Sequence, residues 1–148
     1  MGDGTLARSD RTAWSERQRQ VIDEFRANAG TVGGHFAGMP LLLLTTTGAR
    51  TGRPRTTALR YLPDGARYVV VAANAGAHRH PDWFHNLTAH PAVTVEVGAE
   101  TFAATAVLTT GEQRDALIER IVADSPNFVA YQAATAREIP VVLLDRRP

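Results

Sequence analysis

Four arginines, Arg50, Arg53, Arg55 and Arg60, stand within one short stretch, and no acid lies between Glu24 and Asp64 to neutralise them. They belong to the run PLLLLTTTGARTGRPRTTALRY at residues 40–61, where four leucines and three threonines lead to a turn carrying Gly48 and Gly52. Apolar strand, small cationic turn and return strand read as a hairpin whose tip holds an anion. Backbone N–H groups in a Gly/Thr turn form an anion-binding concavity. Guanidinium forks match phosphate and carboxylate oxygens in pairs. The turn is not a Walker loop, because too few residues separate its glycines and Arg53 stands where lysine is needed; it is not a dinucleotide GxGxxG fingerprint either. The plain alternative is a solvated hairpin tip; the density of charge together with Gly and Thr favours a site.

The second candidate is HRHPDWFHNL at residues 78–87. His78, His80, Asp82 and His85 invite a metal, but their spacings do not stack ligands on one helical face as HExxH does, so no metal is expected. Trp83 and Leu87 should pack inward, with Asn86 and the histidines edging a pocket or facing water. The start of a helix here would itself suit an anion. A third candidate pairs Phe128 with Tyr131, one turn apart, as core or as an aromatic wall for a flat ligand. The chain has no nucleophile-elbow pattern and no paired carboxylates in a plausible shared cleft. Abundant donors without a reacting side chain point to chemistry carried by a bound cofactor.

Composition narrows the classes. The chain has 148 residues, 44% hydrophobic and 21% charged, with net charge +1, which suits one compact domain with one core. Nucleic acid is not an expected partner, since the charge is local and aromatics do not interleave the arginines. There is no Cys, which removes thiolate nucleophiles, disulfides and Cys-based metal sites. There is no Lys either, which removes Schiff-base chemistry. No apolar run reaches the ~18 residues of a membrane span, and the N-terminus lacks a signal-peptide core, so a cytoplasmic location is expected.

Elements must hold these groups in place. Residues 1–11 are expected to be a disordered tail, with one domain over 12–148. A helix is expected over 12–29, with Ser15 and Gln18 as a capping box and Trp14, Val21, Ile22, Phe25 and Ala29 on one face. That face docks on the domain, or else the helix is a mobile lid or touches membrane. A glycine-rich loop at 30–39 follows. Strands are expected at 41–46, 56–62, 67–73, 92–97, 100–108 and 139–144. Helices are expected at 80–89, after a second capping box at 110–113, and around Phe128. About six strands in mostly hairpin order imply an α+β fold built on a small antiparallel barrel.

The runs LLLLTTTGARTGRPRTTAL, YVVVAANAGAHRHPDWFHNLTAHPAVTVEV and YQAATAREIPVVLL resemble, in matching order over about residues 12–145, the deazaflavin-dependent nitroreductase family. These are split β-barrel proteins of actinobacteria that use coenzyme F420, an 8-hydroxy-5-deazaflavin. The resemblance implies a deazaflavin beside the barrel, with its phospholactate and oligoglutamate tail at the basic turn. Ala49, Arg50 and Thr51 would line the tail end. Arg55, Thr56, Thr57, Ala58, Leu59 and Arg60 would run along the cofactor, and Ala72, Ala73, Asn74 and Ala75 would meet it from the neighbouring strand end. Asp82, Trp83, Phe84, His85 and Asn86 would close over the phosphate or ring. Phe128 and Tyr131 would flank the substrate, with Tyr131 a candidate to stabilise the developing anion.

The implied activity is hydride transfer from the cofactor's C5 to a quinone, an activated enone or a nitro compound. Rival readings are an FMN- or haem-binding split barrel, or a carrier of cofactor or lipid. The chain departs from the nitroimidazole-activating member at Arg60, Asn74, Ala75, Ser125 and Phe128, which implies a different substrate pocket.

Overall fold

The computed structural model describes the chain over residues 8–148, with side chains from Ser15 onward except His35. Helix α1 spans Arg8–Ala27, followed by strands β1 (Leu41–Thr47), β2 (Pro54–Arg60), β3 (Leu62–Asp64) and β4 (Arg67–Val71). Then come α2 (Asp82–Ala89), β5 (Ala92–Val97), β6 (Glu100–Leu108), α3 (Gly111–Asp124), α4 (Asn127–Ala133) and β7 (Val141–Arg146). The strands form one antiparallel sheet in the order β2-β1-β5-β6-β7-β4-β3.

The expected strand at 56–62 is two strands, and the reason is closure of the barrel. β2 pairs with β1 at one edge of the sheet, and β3 pairs with β4 at the other. A single residue, Tyr61, joins them, so the chain itself carries one edge round to meet the other. The Tyr61 N–H is held at this corner by the Pro40 carbonyl at 3.1 Å.

Alternation along the strands builds three packed layers. Leu42 and Leu44 of β1, Val70 of β4 and Val142 and Leu144 of β7 point into the barrel, where Trp83, Phe84 and Leu87 of α2 plug it. The intervening Val69, Val141 and Leu143 pack outward on Leu117 and Ile121 of α3 and Phe128 of α4. Leu41, Leu43 and Ala58 pack outward on Phe25, Val21 and Ile22 of α1.

Helix α1 starts ahead of the expected Thr12, so residues 8–11 are helical; the rest of the expected tail, 1–7, lies outside the described residues. Gln18 caps no helix. Its Oε1 accepts the Ala58 N–H at 2.9 Å and so covers the free edge of β2. The apolar face of α1 is spent on docking, as Phe25 is 1% exposed, which removes the membrane-touching alternative for its described part. The Trp14 side chain lies outside the described residues. Among the described residues, no helix is long and apolar enough to cross a membrane. Thr110 stands at the N-cap of α3 without a side-chain cap bond, with Gly111 at φ 58 between it and the first turn. The second capping box is therefore absent.

Candidate functional site

One end of the barrel gathers the chemistry. The hairpin register of β1 and β2 and the pairing of Val71 with Val141 put the end of β1, the start of β2, the end of β4 and the start of β7 together. The loops leaving these ends form a polar rim, residues 48–53, 72–81 and 134–140.

The arginine turn is tightly built. The Gly48 N–H donates to the Arg53 carbonyl at 2.8 Å, and the Gly52 N–H to the Gly48 carbonyl at 2.9 Å. A Cβ on Gly48 would lie 2.6 Å from the Thr51 hydroxyl and 3.2 Å from the Arg53 carbonyl, so glycine is required there. Thr51 Oγ1 accepts the Arg53 N–H at 3.2 Å. Arg50, Arg53 and Arg55 are exposed, and none of them joins a salt bridge among the described residues. Two guanidiniums on a fixed turn and a third at the start of β2, without salt bridges among the described residues, match a polyanion in chemistry.

Arg60 separates from them. It lies at the far end of β2 from Arg55, roughly 17 Å along a strand at ~3.4 Å per residue. There its guanidinium pairs with Asp124 of α3 at 3.1 Å. The sequence hid this pairing because Asp124 is remote in the chain and adjacent in the fold.

Alternation also divides the β2 run. Arg55, Thr57 and Leu59 stand opposite Thr46, Leu44 and Leu42, whereas Thr56, Ala58 and Arg60 stand opposite Thr45, Leu43 and Leu41 on the α1 side. Their side chains cannot line one surface together. Thr56 bonds to Thr45 through the two hydroxyls at 2.8 Å, and Ala58 is buried beneath α1 with its N–H taken by Gln18.

Helix α2 ties the rim to the core. Trp83 and Phe84 are buried inside the barrel, so they anchor the helix and are not open to a ligand. Asn86, also buried, accepts the Ala49 N–H at 2.9 Å through Oδ1 and donates from Nδ2 to the Thr46 hydroxyl at 3.1 Å. It thus fixes the start of the arginine turn. Asp82 and His85 stay exposed on the same helix.

The loop at 72–81 brings Asn74 and Ala75 to the rim, both exposed and both in left-handed backbone, at φ 48 and 52. Asn74 Nδ2 donates to the Arg79 carbonyl at 2.9 Å. Ala72 is buried in the barrel and Ala73 half-buried. Gly76 abuts α4: a Cβ there would lie 3.1 Å from the Tyr131 carbonyl. Tyr131 is half-buried at this junction, whereas Phe128 is 6% exposed within the α3–α4 core and forms no wall.

Sequence reasoning missed Arg137. Its guanidinium donates to the Ala72, Ala73 and Ala77 carbonyls and lies 3.0 Å from His80 Nδ1. His80 is held below the ordinary imidazole range, first by burial and then by the charges of Arg137 and His85. Its ring centre lies 4.6 Å from that of Phe84, tilted by 47°, and 5.6 Å from that of His85, edge to face. One feature could have found Arg137: it is an isolated cation before the apolar closing strand.

A family model described as F420H(2)-dependent quinone reductase matches residues 17–146. An F420H(2)-dependent quinone reductase of Mycobacterium tuberculosis is 42% identical over 127 residues, 83% of this chain and 85% of that one. Among solved structures, one described as a domain-swapped dimer is 33% identical with TM-score 0.69, over 91% of this chain and 99% of that one. An F420H2-dependent reductase (FDR-A) is 34% identical with TM-score 0.67, over 76% of this chain and all of that one.

Proposed function

The chain belongs to the F420H(2)-dependent quinone reductase family, and from that premise we propose that it uses reduced coenzyme F420 to reduce a quinone, or a similarly small electron-poor acceptor, at the polar rim. When bound, the deazaflavin supplies a hydride from its ring C5. The protein's own part is to bind, orient and shield. Arg50, Arg53 and Arg55 hold the acidic tail, and the backbone of Ala49 and Thr51 completes the cradle. Arg55, Thr57 and Leu59 are the side chains of β2 that can continue one surface from it. Asn74 and Ala75 lie along the ring, with Asp82 and His85 at the side of the groove. Tyr131, beside Gly76, is placed to steady charge that develops on the acceptor oxygen. Holding donor and acceptor face to face favours transfer through proximity.

The observation that carries this reading is the set of three exposed arginines, Arg50 and Arg53 on the rigid turn and Arg55 at the start of β2, in no salt bridge among the described residues, at the rim shared with Asn74. The rival FMN and haem readings are not favoured by the relatives named above. The dimer described for the related structure supports a dimeric reading here, with α1 as the exchangeable element because a glycine-rich connection joins it to β1.

Steady-state reduction of menadione by reduced F420 tests the activity. The reading expects saturable turnover with the quinone. Binding of the deazaflavin without turnover of any quinone, enone or nitro acceptor would make the protein a carrier instead.

A further inference from the structure

β4 ends at Val71, so the carbonyls of the next residues leave the strand ladder just where the chain turns over the rim. Two non-glycine residues, Asn74 and Ala75, adopt left-handed backbone there. An alanine takes that conformation when its surroundings impose it. Arg137 supplies the constraint. Nη1 donates to the Ala72 carbonyl at 3.1 Å, Nη2 to the Ala73 carbonyl at 2.7 Å and Nε to the Ala77 carbonyl at 2.9 Å. These bonds bracket Asn74, Ala75 and Gly76 from both sides. Nη1 also meets His80 Nδ1 at 3.0 Å, which requires a lone pair on that nitrogen.

Arg137 is itself held. Its N–H donates to Thr135 Oγ1 at 3.3 Å, and its carbonyl accepts Gln132 Nε2 at 2.7 Å. Among the described residues no carboxylate pairs with it, and burial pulls its pKa below the ordinary guanidinium value. A guanidinium that forgoes an ion pair and directs its fork at neutral carbonyls serves geometry.

We propose that Arg137 is a positioning residue for the cofactor. It clamps the turn in the left-handed form that presents Asn74 and Ala75 to the ring, and this rests on reading that turn as a ring contact. A lysine has one donor centre and cannot span three carbonyls as the fork does.

The test compares F420 affinity, by cofactor fluorescence, with melting temperature in Arg137→Lys, Arg137→Lys/Ala75→Gly, Arg114→Lys and Arg50→Ala. Arg114 is the control because it also bonds a backbone carbonyl nearby, that of Ile139 at 2.8 Å, but outside the turn. Arg137→Lys should weaken binding about tenfold, the scale of one charge-assisted bond. Adding Ala75→Gly should recover part of that loss, because glycine takes positive φ without strain. Arg114→Lys should lower the melting temperature and leave affinity unchanged.

Wild-type affinity in Arg137→Lys, with Arg50→Ala weakened, overturns the clamp alone. Wild-type affinity in both overturns the site reading with it. An equal loss in Arg137→Lys and Arg114→Lys, with no recovery from Ala75→Gly, makes Arg137 a general stabiliser and also overturns the proposal. If Arg137→Lys does not fold, His80→Ala removes one partner of the fork and should weaken binding about threefold; unchanged affinity there overturns the clamp.

Discussion

At the scale of single residues, Asn86 links helix α2 to the arginine turn. Its amide serves the Ala49 N–H and the Thr46 hydroxyl at once, and Asn86 and Thr46 are both buried. Asn86→Leu removes the donor to the buried Thr46 hydroxyl, which keeps only its long 3.5 Å bond to the Arg55 carbonyl, and it frees the Ala49 N–H at the start of the turn. Unfolding in urea should show a loss of about 1–3 kcal/mol, the cost of an unmade buried hydrogen bond. A variant as stable as wild type would mean that Thr46 finds another partner. His80 gives a prediction in pH. Its folded pKa lies below its ordinary value of 6.5, so the unfolded chain binds the proton more tightly. The contribution to stability is therefore complete above the ordinary imidazole pKa and is lost as pH falls below it. Melting temperature should drop on acidification through that window, and His80→Gln should flatten the slope. An undiminished slope in the variant would assign the effect elsewhere.

At the scale of elements, α1 is held to the sheet by Phe25, Val21 and Ile22, by Gln18 on the β2 edge, and by a two-point pair between Arg26 and Glu96 at 2.9 and 3.0 Å. The exposed ion pair contributes little beside the buried ring. Phe25→Ala should cost about 3–5 kcal/mol and release α1, whereas Arg26→Ala should change stability by less than about 1 kcal/mol. Amide exchange at Ala58 would report the release, because its N–H is capped by Gln18; unchanged protection in Phe25→Ala would contradict this.

Much of this scale was legible in the sequence. β-branched runs and punctuating glycines located β1, β4, β5 and β6, and the apolar stripe located α1. The Tyr61 corner was not legible, because residues 56–62 read as one strand until barrel closure sends Arg60 and Leu62 to opposite edges. The inward packing of Trp83 was legible, whereas the resemblance also set Trp83 and Phe84 against the ligand, and Phe128 stayed open between core and wall: an aromatic on a short helix looks the same in sequence whether it plugs a barrel or walls a ligand.

At the scale of the molecule, a net charge of +1 hides a basic rim. Acids are distributed elsewhere and pair locally, as Asp64 does with Arg67 and Arg120 at 2.9 and 2.8 Å. Local fields steer and hold charged ligands even where the total is near neutral. F420 affinity should therefore fall as ionic strength rises from about 0.01 M to about 1 M, which shortens the screening length from about 30 Å to about 3 Å. Mass by light scattering should give twice the 16.0 kDa of one chain if the dimeric reading is correct, and that of one chain if it is not.

The grip of the arginine turn on the acidic tail is tested most directly by a cycle of two ligands and two proteins. Fluorescence titration would compare intact F420 with the same deazaflavin lacking its phospholactate–glutamate tail, on wild type and on Arg50→Ala/Arg55→Ala. Wild type should prefer the intact cofactor, by about 1.5–3 kcal/mol for each charge-assisted bond made to the tail. In the double variant that preference should all but vanish, while affinity for the tail-less ring is kept. A preference that survives undiminished in the variant would place the tail away from the turn and contradict the account.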